Sequence, residues 1–328
     1  MKVLGIESTA HTFGVAVIDE NKCKVSVLSN CKDVYKTEKG GMIPAKVAEH
    51  HVEVCDLVLK DALERANTKL NEIDLISFSQ SPGLGHALRI GATAARLLSI
   101  KLKKPIIGVN HCIAHLEIGR LMTKAKDPVL LYASGANTQI IAYEGKKYRI
   151  FGETLDMGVG NFLDSFARFL DLGFPGGPKI EELAKKGKYV EIPYIVKGMD
   201  VSFGGILTNI KQKYKQGISK EDLCYSVQET VFAMLLEVSE RAMAHCDKKE
   251  LLLGGGVACN NRLKEMARIM CKGRGAECFV PENQYLVDNA AMIGYLGLLE
   301  YKAGIRMKLN ETSIKPYERT DDVVVKWR

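Results

Sequence analysis

The chain has no long hydrophobic segment. None of its apolar runs approaches the roughly 18 residues that a transmembrane helix requires. At the amino terminus, Glu7 interrupts the first apolar stretch before the hydrophobic region of a signal peptide could form. The sequence therefore predicts neither membrane insertion nor secretion, and we expect a cytoplasmic protein.

The cysteine patterns of zinc and redox modules are also missing. Nine cysteines are scattered from Cys23 to Cys278 without a C-x-x-C pair, which excludes a locally assembled zinc ribbon or thioredoxin-type site. Tryptophan is scarce as well, since Trp327 is the only one. We expect the cysteines to be reduced thiols, most of them packed in the core.

Neither sign of charge dominates the chain. Lysine and arginine number 46 against 39 acidic residues, a formal net charge of +7. This excess favours a polyanionic partner such as nucleic acid without requiring one, and no compact basic patch is visible. A composition of 46% hydrophobic and 26% charged residues excludes a disordered chain. At about 150 residues per domain, 328 residues predict two domains.

The common phosphate-binding motifs are absent. The chain has no G-x-x-x-x-G-K-[ST], and no G-x-G-x-x-G lies at a first βα turn, which disfavours P-loop and Rossmann proteins. Instead, residues 251–257 predict a strand that runs directly into a turn with three glycines at 254–256. A helix is predicted from about Asn261 to Cys271. Backbone amides beside a helix N-terminus suit a nucleotide or phosphate, although such glycines also form simple packing turns.

Two similar hairpins indicate an internal duplication. Apolar strands at residues 3–6 and 14–18 flank a polar turn, and the same scheme returns at residues 129–132 and 139–143. Between them, predicted strands alternate with a predicted helix, which is typical of a mixed α/β sheet with crossover helices. The sequence therefore predicts a two-lobed α/β protein.

The strongest local signal for chemistry is a pair of histidines. His111 and His115 lie four residues apart on a predicted helix, so both side chains project from one face and could chelate a transition metal. Oxygen ligands such as Tyr132 or an aspartate could complete the site. Ordinary core or surface histidines are the alternative. No glutamate follows His111, so the zinc metalloprotease pattern is not met.

Three groups of carboxylates have simpler explanations. A glycine-proline turn at residues 174–178 is predicted to open a helix whose first turn contains Glu181 and Glu182, where acidic residues also complement the helix dipole. Asp164 would face this region if the preceding helix folds back, although alone it reads as a solvated charge. Asp288 is predicted to cap the helix that follows it.

Five motifs in order resemble one family, the Kae1/TsaD/Qri7 tRNA threonylcarbamoyltransferases. The similarity extends from about residue 2 to residue 305. Tyr132 and the Cys259-Asn260 pair are most similar to the archaeal and eukaryotic branch, the catalytic subunit of the KEOPS complex. The motifs are GIESTAHT at residues 5–12, SPGLG at 81–85, NHCIAH at 110–115, YASGANT at 132–138 and GGGVACN at 254–260.

The resemblance implies an actin-like ATPase (ASKHA) fold, in which two lobes are each built on a sheet led by a β-hairpin and a nucleotide lies in the cleft. We expect a first lobe at residues 1–124 plus about 295–309 and a second at 125–294. Residues 310–328 form a tail that either docks on the body or leads into a fused kinase domain.

The resemblance also implies the site. A divalent iron or zinc ion would be held by His111, His115 and Asp288, with Tyr132 as a ligand or substrate contact. Because the family has glycine where this chain has Ala136, a positive φ there would cause strain. The residues implied to line the threonylcarbamoyl-adenylate site are Tyr132, Ala133, Ser134, Gly135, Ala136, Asp164, Gly177, Glu181 and Asn260.

The implied reaction transfers threonylcarbamoyl from its adenylate to the exocyclic amine of the adenosine after the anticodon, in tRNAs that read codons beginning with A. No general base is evident. The implied partners are tRNA, a small atypical kinase or ATPase and other KEOPS subunits, with no membrane. Two alternatives remain open: a non-catalytic scaffold that binds ATP or nucleic acid, and a metallo-glycoprotease.

Overall fold

The computed structural model describes residues 1–37 and 42–328. In these residues, no helix combines the length and the hydropathy needed to cross a bilayer. The chain divides into two compact units: the first comprises residues 1–37, 42–118 and 288–328, and the second comprises residues 119–287.

Strands and helices alternate along both units. The strands are β1 (Lys2–Glu7), β2 (Thr12–Asn21), β3 (Lys24–Val34), β4 (Leu75–Ser81), β5 (Ile106–Asn110), β6 (Val129–Ala133), β7 (Thr138–Glu144), β8 (Lys147–Glu153), β9 (Val196–Lys197), β10 (Asp200–Val201), β11 (Glu250–Gly254) and β12 (Glu277–Phe279). The α-helices are α1 (Pro44–Arg65), α2 (Gly85–Leu102), α3 (His111–Met122), α4 (Val159–Phe169), α5 (Gly176–Ala184), α6 (Gly204–Lys215), α7 (Lys220–His245), α8 (Asn261–Arg274), α9 (Asn283–Leu286) and α10 (Ala290–Lys302).

The first unit contains a five-stranded sheet in the order β3-β2-β1-β4-β5. β1 pairs antiparallel with β2 and parallel with β4, so that Leu4 lies opposite both Val17 and Ile76. Every residue of β4 and β5 is buried, as is typical of parallel strands that are covered on both faces. The carboxyl ends of β1, β4 and β5 carry the polar residues Glu7, Ser81 and Asn110.

The second unit repeats this topology. Its sheet has the order β8-β7-β6-β11-β12, with the two hairpin pairs antiparallel and the pairs of β6 with β11 and of β11 with β12 parallel. The predicted duplication of hairpins is therefore confirmed. α7 is 26 residues long, and its buried side chains join the main core of this unit. Because the core covers much of the helix, apolar residues lie on most of its faces.

One glycine of the first unit permits an unusually close approach of a helix to the sheet. A Cβ atom at Gly5 in β1 would lie 2.2 Å from the carbonyl oxygen of Ala290 and 2.6 Å from the backbone nitrogen of Gly294, both in α10. The α10 backbone can therefore rest on β1 only where that strand has no side chain.

Several local predictions differ from the structure. α5 begins at Gly176 and has no acidic residue in its first turn, so Glu181 lies one turn later than predicted. Asn289, rather than Asp288, caps α10, because its side chain accepts a hydrogen bond from the Met292 N–H. The apolar stretch at residues 323–327 forms no strand. Within it, the Trp327 side chain donates a hydrogen bond to Glu117 Oε1 of the first unit.

Ala136 introduces no strain of the kind considered. Among the described residues, those with positive φ outside glycine do not include Ala136. The methyl group therefore sits on a backbone that alanine adopts without cost.

Candidate functional site

The histidine pair lies at the beginning of α3, where β5 ends. The Asn110 side-chain oxygen accepts hydrogen bonds from the backbone N–H groups of Cys112 (3.0 Å) and Ile113 (3.2 Å), which caps the helix. Four residues of helical spacing then place His111 and His115 on one face, with ring centroids 4.8 Å apart at 81°. Both rings are buried. The predicted helix and its shared face are confirmed.

Tertiary folding brings a carboxylate to this pair. The Asp288 Oδ1 atom lies 3.4 Å from His111 Nε2 and 3.6 Å from His115 Nε2. One ligand atom from each of the three residues lies within 4.8 Å of the others. Across residues 1–37 and 42–328, this is the one group of three or more such side chains that is close enough to hold a metal ion.

The protonation states of two of these residues suit metal binding. Burial lowers the pKa of the His115 imidazole, which favours the neutral ring with a lone pair available. Burial alone would raise the pKa of the Asp288 carboxyl, but the neighbouring imidazoles of His111 and His115 outweigh it and hold this pKa well below its usual range. Metal ions bind neutral imidazoles and ionised carboxylates, so the pair is preset for coordination.

Sequence reasoning missed Glu7, which orients His111. The Glu7 Oε2 atom lies 3.0 Å from His111 Nδ1, and the Glu7 side chain is fully buried. The Thr9 backbone N–H and hydroxyl both donate to Glu7 Oε1. A carboxylate on Nδ1 favours the tautomer whose Nε2 is left for a metal. The signal was present in the sequence, as a lone carboxylate at the end of an apolar strand.

The donor set fits the implied metal. Two imidazole nitrogens and one carboxylate oxygen are ligands that both iron and zinc accept. Tyr132, the fourth predicted ligand, belongs to the second unit, where it is a buried residue near the carboxyl end of β6. Its part in metal binding stays a prediction.

The hairpin turn of the second unit is fixed by two neighbouring glycine-rich segments. A Cβ atom at Gly255, whose φ is +87°, would lie 2.3 Å from the Ala133 carbonyl oxygen. The first turn of α4 donates into the same hairpin, from Gly160 N–H to Ser134 O and from Asn161 N–H to Gly135 O, both at 3.0 Å. The predicted site residues Ala133, Ser134 and Gly135 therefore pack against the backbone of these glycine-rich segments, which approach so closely because glycine has no side chain.

The predicted acidic residues join helices of the second unit. Asp164 of α4 accepts a hydrogen bond at 2.8 Å from the Gly176 N–H, which confirms that the two segments fold together. Beside it, Gly177 faces open space, since a Cβ there would meet no atom within 4 Å. Glu181 Oε1 accepts two 3.0 Å hydrogen bonds from Asn261.

Asn260 performs a structural task at this point. Its oxygen caps α8 by accepting from Arg262 N–H (2.8 Å) and Leu263 N–H (3.1 Å), and its nitrogen donates to Gln228 Oε1 at 3.1 Å. A contact to the base of a nucleotide would use its backbone or a rearranged side chain.

Comparisons with known proteins agree with these features. A family model described as TsaD, tRNA N6-adenosine threonylcarbamoyltransferase, matches residues 26–295. The chain is 56% identical to a protein of Thermococcus kodakarensis with that same name, over 100% of both chains. It is also 54% identical to a Methanocaldococcus jannaschii protein named "Probable bifunctional tRNA threonylcarbamoyladenosine biosynthesis protein", covering 100% of this chain and 60% of that protein.

Solved structures support the fold. T. kodakarensis HypF matches with a TM-score of 0.64 at 16% identity, covering 92% of this chain and 48% of that one. The activator of 2-hydroxyisocaproyl-CoA dehydratase from Clostridium difficile matches with a TM-score of 0.53 at 9% identity, covering 94% and 99%. These likenesses confirm the predicted actin-like ATPase fold. The family model and the full-length relatives show by sequence that the chain belongs to the TsaD family, the tRNA N6-adenosine threonylcarbamoyltransferases.

Proposed function

We propose that this protein transfers a threonylcarbamoyl group from threonylcarbamoyl-adenylate to the exocyclic amine of the adenosine that follows the anticodon. The observation that carries this proposal is the full-length identity of 56% to a tRNA N6-adenosine threonylcarbamoyltransferase. The buried cluster of His111, His115 and Asp288 supplies a site at which the chemistry can be organised.

The metal site consists of His111, His115 and Asp288, with Tyr132 as a further ligand or substrate contact. Held by these residues, an iron or zinc ion would supply Lewis-acid chemistry toward a carbonyl or phosphoryl oxygen of the donor. Glu7 keeps the His111 ring in the orientation that directs Nε2 toward Asp288. The site needs no change in the charge of Asp288 to accept a cation, because its carboxyl is already ionised.

The adenylate binds in the second unit, along the hairpin turn and the glycines that touch it. Its site comprises Tyr132, Ala133, Ser134, Gly135, Ala136, Asp164, Gly177, Glu181 and Asn260. The carboxylates of Asp164 and Glu181 suit the ribose hydroxyls, and the open space beside Gly177 leaves room for a ligand. An aromatic amine is a weak nucleophile, so positioning of tRNA against the donor supplies much of the rate.

The two compact units correspond to the two lobes of the actin-like fold. The partners are tRNA and the subunits of a KEOPS complex, including a small kinase or ATPase, and the reaction takes place in the cytoplasm. The M. jannaschii relative, which is named as a bifunctional protein, is longer than this chain, and this chain covers 60% of it.

Reconstitution tests the proposal. The chain is incubated with its partner subunits, an adenylate-forming enzyme, threonine, bicarbonate, ATP and a tRNA that reads A-starting codons. Nucleosides are then analysed by mass spectrometry for wild type, for His111→Ala and for His86→Ala, a matched control at an exposed histidine of α2.

Modified adenosine from wild type and the control, with loss in His111→Ala, is the expected result. Equal product from all three proteins would retain the transferase and refute the metal site. Peptide cleavage, or nucleic-acid binding with no product from an otherwise competent mixture, would refute the transferase.

A further inference from the structure

The carboxyl-terminal segment at residues 311–327, here called the strap, lies against the first unit without regular α or β structure. The Gln80 side-chain amide donates to the carbonyl oxygens of Glu311 (3.0 Å) and Ser313 (2.7 Å). Lys315 N–H in turn donates to Gln80 O at 2.9 Å. The strap is therefore held at the carboxyl end of β4, the strand adjacent to β5.

From this point a hydrogen-bonded chain leads to the cap of α3. Ser81 Oγ donates to the Glu318 carboxylate of the strap, and Asn110 Nδ2 lies 3.4 Å from the same Ser81 Oγ. The other end of the Asn110 amide caps α3 through Cys112 N–H and Ile113 N–H. Asn110 directly precedes His111, so the strap contacts the beginning of the ligand-bearing helix through two intermediate side chains.

A second contact reaches α3 beyond the ligands. Trp327 Nε1 donates to Glu117 Oε1 at 2.9 Å, and Glu117 is 1% exposed. Glu117 follows His115 by two residues on the same helix. The contact gives the buried Glu117 carboxylate a hydrogen-bond donor, which favours the docked strap.

The two contacts enclose the ligands. One acts at the cap that precedes His111, and the other acts just after His115, so the segment that carries both imidazoles is held from both sides. Metal affinity depends on ligand geometry held by supporting hydrogen bonds, because an ion tolerates little displacement of its donors.

We propose that the strap is a positioning element for the metal site, and that Ser81, Glu318 and Trp327 are positioning residues that act through α3. This inference rests on the metal site of the proposed function. If strap docking favours the ligand geometry, then metal binding favours strap docking by the same factor, since the two equilibria are linked.

The single tryptophan makes the linkage measurable without catalysis. Trp327 fluorescence is recorded with metal-free full-length protein while Zn²⁺, which does not quench indole, is added, and its accessibility is followed by acrylamide quenching. Zinc affinity is measured in parallel by competition with a chromogenic chelator. The proteins are wild type, Ser81→Ala, Trp327→Phe, His111→Ala and, as a matched strap control, Tyr317→Phe at a side chain that is 94% exposed.

Zinc is expected to protect Trp327 from acrylamide in wild type but not in His111→Ala. Zinc affinity should fall roughly tenfold in Ser81→Ala and in Trp327→Phe, within the range typical of coupled sites, and remain unchanged in Tyr317→Phe. Circular dichroism identifies any variant that fails to fold, and the quenching of wild type decides the question independently of the variants.

The alternative results separate the two proposals. Saturable zinc binding that depends on His111, combined with unchanged Trp327 quenching and equal affinity in Ser81→Ala, would overturn the strap and leave the metal site intact. Absence of saturable zinc binding to wild type would overturn both.

Discussion

The Glu7 carboxylate holds the His111 imidazole at 3.0 Å, from Oε2 to Nδ1, inside a region where Glu7 is inaccessible to solvent. β1 ends at Glu7 and α3 begins at His111, so the contact joins two elements that are adjacent only in the folded chain. A carboxylate behind a metal-binding imidazole fixes the ring and raises its basicity.

Glu7→Gln tests this relationship. The amide preserves size but removes the charge that favours the Nδ1–H tautomer, so metal affinity is expected to fall about 10- to 100-fold. Chelator competition measures the affinity, with Glu53→Gln at an exposed position of α1 as the control. Equal affinity in Glu7→Gln and wild type would show that Glu7 does not support the ligand.

His51 predicts a loss of stability in mild acid. Burial, together with the neighbouring His50, lowers the pKa of His51 from 6.5 to about 4. Between pH 6.5 and pH 4, the unfolded chain therefore binds a proton at His51 and the folded chain does not. The free energy of unfolding falls by about 3 kcal/mol as the pH drops through this range.

Urea unfolding at several pH values checks this expectation with His51→Gln. Since glutamine does not titrate, the free energy of unfolding of this variant should fall less steeply between pH 6.5 and pH 4. His86→Gln controls for the loss of an imidazole as such. An equally steep fall in the free energy of unfolding in His51→Gln and in wild type would assign the loss of stability to other groups.

Glu300 predicts the opposite dependence on pH. Burial, with the nearby Glu318 carboxylate, raises the pKa of Glu300 from 4.5 to about 8. The unfolded chain releases this proton more readily, so stability is lost as pH rises from 4.5 to about 8.

Glu300→Gln should therefore stabilise the protein by about 3 kcal/mol at pH 7 and by less than about 1 kcal/mol at pH 5. Denaturant midpoints at the two pH values measure the gain, with Glu64→Gln on the exposed face of α1 as the control. A gain of equal size at both values would contradict the assigned ionisation.

Gly5→Ala should destabilise the first unit. The added Cβ would lie 2.2 Å from the Ala290 carbonyl oxygen, a backbone atom of α10 that no side-chain rotation can move away. We expect the free energy of unfolding to fall by about 3 kcal/mol, at the upper end for overpacking.

Gly273→Ala in α8 is the control, because its Cβ would meet nothing within 4 Å. This substitution should raise the free energy of unfolding by about 0.5–1 kcal/mol. Calorimetric unfolding of both variants compares the two effects.

The local geometry of this protein follows from its amino-acid sequence alone. Apolar stretches that flank a polar turn were enough to place both hairpins, because strand pairing across a short turn is a local event. The four-residue spacing of His111 and His115 placed them on one face, since helical geometry is the same in any context. The order of five motifs also identified the family before any contact was known.

Which groups distant in sequence come into contact depends on the tertiary fold. Asp288 looked like a helix cap, yet Asn289 took that role and Asp288 reached the histidines. Glu7 gained its partner when β1 and β5 entered one sheet. The strap forms hydrogen bonds with Gln80 and Glu117 and does not pair with a neighbouring strand. Such contacts depend on which surfaces bury one another over long sequence separations, and this information is not present in any local window of the chain.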